Sequence, residues 1–167
     1  MCQFVIRFIV ILAITASYIQ SPQAMELDPN AIFNCKLTAD TEQPISQGTV
    51  LTFSITNISP QPVQLLPWYT PLEGFMGKLF IIADEQNNQL NYQGPMIKRM
   101  APSQEDYLTI TSGETITSTL NLQQVYDFQQ AQYQLSMTTK YVQVIMNKQS
   151  YTIQVCKDAK LTINVIE

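Results

Sequence analysis

The feature that most restricts this chain is an alternation of apolar and polar residues with a period of two. Leu51, Phe53 and Ile55 alternate with Thr52, Ser54 and Thr56. Only an extended strand sends every second side chain to the same face, so the pattern predicts a strand with one buried side. Ile116, Ser118, Leu120 and Leu122 share a face opposite Thr117 and Thr119, and Tyr133, Leu135 and Met137 alternate with Gln134 and Ser136. Val142, Val144 and Met146 lead through Asn147-Lys148-Gln149-Ser150 to Tyr151, Ile153 and Val155, which reads as a hairpin. A second hairpin is expected from Leu79 to Ala83, through Asp84 to Asn88, to Leu90 and Tyr92. Leu161, Ile163 and Val165 alternate once more.

Turn chemistry separates these segments: Asn57-Ile58-Ser59-Pro60-Gln61-Pro62 and Thr111-Ser112-Gly113-Glu114. Only Leu122 to Gln130 leaves room for a helical turn. About eight or nine short strands, with turns roughly every 8 to 12 residues, predict an all-β, immunoglobulin-like β-sandwich. No repeated unit points to a solenoid. The many glutamines, such as Gln123-Gln124 and Gln129-Gln130, are dispersed through strand patterns and read as a neutral polar surface.

Charge and composition then narrow the chemistry. Nine Lys and Arg against 13 Asp and Glu, a net charge of -4, leave no cationic footprint for nucleic acid. There is no histidine, which removes the Ser-His-Asp and Cys-His nucleophile systems and the commonest zinc ligand. Adjacent Glu105 and Asp106 would point to opposite faces of a strand and cannot serve as a paired acid and base. Glu73 and Asp127 have no catalytic partner nearby in sequence, and five glycines form no phosphate-binding loop. No catalytic residue, metal site or cofactor is expected.

Residues 1–24 read as a cleaved secretory signal: Arg7 stands in the short leading region, an apolar stretch runs from Phe8 to Ile14, and small or polar residues precede Ala24. The apolar run is too short for a spanning helix, so residues 25–167 are expected as an exported domain without a membrane span, periplasmic or extracellular. Cys2 would leave with the signal. Cys35 and Cys156 remain, and in an oxidising compartment they suggest a disulfide, with two buried free thiols as the alternative. Closing a loop of about 120 residues would stabilise the fold by roughly 4 to 5 kcal/mol in the chain-entropy model.

Two long loops stand out. Residues 67–77 carry the chain's one tryptophan, Trp68, with Tyr69, Leu72 and Phe75 and two prolines, and a third, Pro62, lies close by. A stiff aromatic loop loses little entropy on binding. Trp68 reads either as a core plug or as a ligand platform. Residues 94–107 place Lys98 and Arg99 seven residues before Glu105 and Asp106. These four either pair to hold their own loop together or present an interface.

A resemblance runs through the same residues. Leu51-Thr52-Phe53-Ser54-Ile55-Thr56-Asn57-Ile58-Ser59, Pro62-Val63 and Trp68-Tyr69-Thr70-Pro71-Leu72-Glu73-Gly74 come first. They are followed by Tyr92 to Pro102, Glu105-Asp106-Tyr107, Ser112-Gly113-Glu114, Val125-Tyr126-Asp127-Phe128 and Tyr133. This order, over residues 49–138, resembles the N-terminal immunoglobulin-like region of secreted bacterial lysine-specific zinc metallo-endopeptidases of the deuterolysin-like class. In that class the region precedes a zinc domain with a His-Glu-x-x-His helix, which this histidine-free sequence lacks. The resemblance therefore implies an accessory module that folds against, chaperones or blocks a peptidase. The expectation is a secreted, non-catalytic protein-binding module acting through the two loops, its partner a secreted metallopeptidase. An envelope structural or adhesive subunit that donates the Leu161–Ile163–Val165 strand, and a carbohydrate-binding module using Trp68 and Tyr69, are the alternatives.

Overall fold

In the segment Val50–Asn57 the alternating pattern becomes a strand whose Leu51, Phe53 and Ile55 are at most 1% exposed, while Thr52, Ser54 and Thr56 face outward. The computed structural model describes residues 32–138, 141–156 and 159–167; the expected signal peptide, residues 1–24, and Cys2 lie outside them. Eleven strands follow in chain order: β1 Phe33–Thr38, β2 Glu42–Pro44, β3 Val50–Asn57, β4 Val63–Leu65, β5 Phe80–Asp84, β6 Leu108–Ile110, β7 Thr115–Asn121, β8 Ala131–Met137, β9 Tyr141–Met146, β10 Gln149–Gln154 and β11 Lys160–Ile166. The helical turn foreseen after Leu122 is a single 3₁₀ turn, Leu122–Gln124.

The strands form three sheets, ordered β1-β3-β7, β2-β11-β8-β5 and β10-β9-β4-β6. All pairings are antiparallel except β2 with β11. Inward side chains from all three sheets, among them Phe53, Val63, Phe80, Ile82, Leu135, Val144 and Ile163, share one core, the arrangement of a β-sandwich. Tyr133, near the start of β8, turns its hydroxyl back to the backbone of Gln129, accepting from the amide at 3.0 Å and donating to the carbonyl at 3.1 Å. This is the tyrosine corner of immunoglobulin-like sandwiches. Edge-to-face contacts carry the aromatic packing from Tyr133 through Phe128 and Tyr126 to Tyr92.

β9 and β10 form the expected hairpin. Its turn is only two residues long, because Met146 already faces Gln149. Asn147 and Lys148 have φ of 51° and 64°, and two left-handed residues match the twist of the flanking strands. Cys35 and Cys156 are joined, with Cα atoms 5.1 Å apart, so the end of this hairpin is tied to β1.

The second expected hairpin does not form as a strand pair. Asp84 accepts from the Asn88 backbone and side chain and turns the chain, but the return makes only the bridge from Ala83 to Gln89 and a bond from the Leu90 amide to the Ile82 carbonyl. Leu90 and Tyr92 alternate because they pack against the core. The Gln93 amide then bonds the Val125 carbonyl, drawing the chain away from β5. Gly94 is needed here, since a Cβ would lie 2.5 Å from both the Tyr92 hydroxyl and a Val125 methyl. β11 pairs with β8 along Lys160–Val165 and with β2 through Asn164–Ile166, so it is built into its own sheet.

Candidate functional site

The 67–77 loop is held by its own short polar contacts. Thr70 donates its hydroxyl to the Pro67 carbonyl at 2.5 Å and accepts from the Leu72 amide, starting the 3₁₀ turn Pro71–Glu73. Ser118 of β7 donates to the Pro71 carbonyl at 2.6 Å, fastening that turn to the sandwich. Leu72 and Phe75 are half-buried, packed against the core as footings for the loop. Tyr69 is 44% exposed, with a left-handed φ of 59°.

Glu73 joins the two loops. One carboxylate oxygen accepts the Tyr69 amide at 2.6 Å and the other accepts Arg99 Nη2 at 2.5 Å. The Arg99 guanidinium also lies 5.0 Å from the centre of the Trp68 ring, a cation–π contact. The Ile97 amide bonds the Met76 carbonyl at 3.0 Å, a second tie between the loops. Trp68 is thus neither a core plug nor a bare platform: it is half-buried with a cation against its ring.

The pairing of Lys98 and Arg99 with Glu105 and Asp106 is corrected by this geometry. The 3₁₀ turn Gln104–Asp106 brings the Asp106 carboxylate back onto Ser103, where it accepts both the amide and the hydroxyl, at 2.7 and 2.8 Å. These bonds, chiefly the backbone one, hold the Asp106 carboxyl below the usual carboxylate range, with a lesser contribution from the Arg99 charge. Arg99 reaches across to the other loop instead, while Lys98 and Glu105 remain exposed. Sequence reading left Glu73 without a partner because Arg99 is 26 residues away and no local spacing connects them.

The joined loops border a groove of about 370 Å³ on the outer face of the β10-β9-β4-β6 sheet. Trp68, Tyr69, Arg99, Met100 and Tyr141 are among its walls. Two of its walls are exposed apolar side chains: Met100 is 89% exposed and Tyr141 61%. Tyr107 and Gln104 bridge the same face through Gln143 and Gln64. A second groove of about 530 Å³, lined by Gln64, Gln104, Ile145 and Lys148, continues along it. Among the described residues no group of His, Cys, Asp and Glu is placed to hold a metal, and no helix is long and apolar enough to cross a membrane.

No family model matches the sequence. The chain is 27% identical over 106 residues to an extracellular protease of Aeromonas hydrophila, an overlap covering 60% of this chain but only 30% of that protein. The likeness accords with a protease-associated sequence, and together with the disulfide it favours an exported protein. Two solved structures overlap most of the chain with low structural agreement. The ApaA protein of Bordetella pertussis is 14% identical with a TM-score of 0.36, covering 80% of this chain and 89% of that one. A structural-genomics target solved by X-ray is 16% identical with a TM-score of 0.42, covering 83% and 89%.

Proposed function

We propose that this chain is an exported, non-catalytic module that binds a secreted peptidase through the surface where loops 67–77 and 94–106 meet. The observation that carries the reading is the Glu73–Arg99–Trp68 contact, which, with the Ile97–Met76 backbone bond, holds the two loops together beside the groove. Rigid aromatic side chains on a preorganised surface bind with little loss of entropy, flexible methionines adapt to the partner's shape, and arginine and tyrosine are favoured at the energetic centres of interfaces. The partial likeness to an extracellular protease supports a peptidase as partner. The protein neither cleaves nor transfers anything in this reading; it recognises, and so shields, delays or escorts an enzyme.

The test is a titration of the exported protein against co-secreted metallopeptidases, reading both binding and residual peptidase activity. Binding that is lost in Tyr69→Ala and Met100→Ala variants of unchanged stability is the expected result. Absence of binding to every such enzyme, or turnover of a substrate by the purified protein alone, overturns the reading.

A further inference from the structure

The three sheets leave six edges, and five of them are guarded in recognisable ways. β2 and β6 have three residues each, and β2 also carries Glu42 and Pro44. β1 contains Lys36, β7 has the Pro71–Glu73 turn fastened against it through Ser118, and β5 ends at Asp84 beneath the Leu90 return. Short length, charge, proline and covering segments are the usual ways of stopping an edge from pairing with another chain. β10 differs: Gln-Ser-Tyr-Thr-Ile-Gln, from Gln149 to Gln154, has six residues, an unbroken register, no charge and no proline.

The register also fixes which backbone groups are open. A two-residue turn makes Met146 and Gln149 a hydrogen-bonded pair, so Gln149, Tyr151 and Ile153 bond to β9. Ser150, Thr152 and Gln154 then point their amides and carbonyls away from β9. The matching outward group on β9, the Gln143 carbonyl, accepts the Leu66 amide at 2.9 Å, in agreement with this phase. Among the described residues no backbone hydrogen bond from outside the hairpin reaches Ser150, Thr152 or Gln154. Thr152 also lines the Trp68–Met100 groove, so the edge opens directly onto it. Among the described residues the grooves on this face are lined by no Asp or Glu but by Lys148 and by Arg99, whose charge Glu73 pairs, so Lys148 is the cation there open to an acidic group, in a chain whose net charge is -4.

We propose that β10 is a docking edge for an extended, acidic segment of a partner protein. The segment adds a strand by main-chain hydrogen bonds to Ser150, Thr152 and Gln154, sets a carboxylate near Lys148, and passes a long apolar side chain over Thr152 into the groove. The inference rests on the chain being a protein-binding module and supplies the mode of capture.

The probe is a short, capped, threonine-rich peptide with glutamate and leucine on one face, together with a twin N-methylated at alternate residues so that it cannot pair with an edge. Residue-resolved hydrogen exchange should show the Ser150, Thr152 and Gln154 amides slowed by about tenfold or more with the first peptide and unchanged with its twin. Lys148→Gln should weaken binding severalfold, and more at low salt than at high salt. Equal protection by both peptides, no binding at about 1 mM, or protection that depends only on protein concentration, as self-pairing would give, overturns the inference. So does protection by soluble polysaccharide in place of peptide. If a metallopeptidase binds through the loops while these amides keep exchanging freely, this inference fails and the loop reading survives; edge protection without any peptidase binding has the opposite meaning.

Discussion

Two polar knots hold loops in this molecule, and they sit in opposite surroundings. Asn57, at the end of β3, is completely buried. Its side-chain amide donates to the Gln61 and Ile110 carbonyls, each at 2.9 Å, and its oxygen accepts the Ser59 amide and hydroxyl at 2.9 and 2.7 Å. Its backbone adds bonds with Gly113 and Glu114, so one residue closes the turns after β3 and before β7. Glu73 and Arg99 also join two loops, but the Arg99 side chain remains 26% exposed and its Nε has no hydrogen-bond partner. The first knot is saturated, while the second leaves the buried Arg99 Nε unpartnered among the described residues and borders an apolar groove. Burial with full satisfaction points to stability, and a knot that borders an exposed apolar groove is placed for recognition.

The largest effect that would break this comparison belongs to Asn57. Asn57→Ala removes four side-chain bonds and strands buried donors and acceptors, each costing about 1 to 3 kcal/mol when unmade. A loss of about 3 kcal/mol or more is expected, read as a lower urea midpoint at unchanged slope. A loss below about 1 kcal/mol would show that water replaces the knot and that burial does not separate the two sites.

Alkaline pH probes the buried side of the contrast at a second place. Tyr126 is 2% exposed, donates its hydroxyl to the Phe80 carbonyl at 2.8 Å, and has its pKa pushed up by burial from 10.0 to about 12. The folded state holds this proton more tightly than the unfolded chain. Its contribution is therefore complete below pH 10 and is lost as pH rises from about 10 to about 12, roughly 2 to 3 kcal/mol in all. Tyr126→Phe should flatten that part of the stability profile. The exposed carboxylates Asp84, Asp106 and Glu114 behave with the opposite sign: their pKa values are lowered, chiefly by hydrogen bonds from Asn88, Ser103 and Thr111, so their support is lost as pH falls through the acid range. A smaller loss, about 1 to 2 kcal/mol, is expected for Tyr133→Phe, which removes both corner bonds without leaving a cavity.

The sequence was informative wherever structure depends on neighbours along the chain. The alternation at Leu51 to Ile55, Tyr133 to Met137 and Leu161 to Val165 marks strands because burial on one face writes a period of two. The cysteine pair was legible from compartment and count. Asn57 read as a turn former, which it is, but its burial depends on Ile110, far along the chain. β4 and β6 are too short to show a period, and the Leu90–Tyr92 segment imitates a strand because the core also accepts alternate side chains from an irregular chain. At the candidate site both loops were visible from their composition. The contact that unites them was hidden, because Asp106 looked like the nearer partner for Arg99 and only the fold turns that carboxylate onto Ser103.

The smallest stability change and the clearest functional one should coincide at Glu73. Glu73→Gln keeps the size of the side chain and an oxygen that can accept a hydrogen bond, but removes the charge that draws Arg99 over Trp68. The Glu73 side chain is only 9% exposed, but Arg99 at 26% can regain water and the glutamine keeps one acceptor, so a loss of about 1 kcal/mol is expected, well below that of Asn57→Ala. The seating of Arg99 between Glu73 and Trp68 depends on that charge, while the backbone of both loops keeps its other ties. Arg99 should leave the ring, making Trp68 fluorescence more accessible to a neutral quencher, and peptidase binding should fall several-fold while the edge amides of β10 keep their exchange rates. If quenching and binding both stay unchanged, Arg99 is held by Trp68 and the backbone ties alone, and the contrast between a structural knot and a recognition knot collapses into two unequal structural ones.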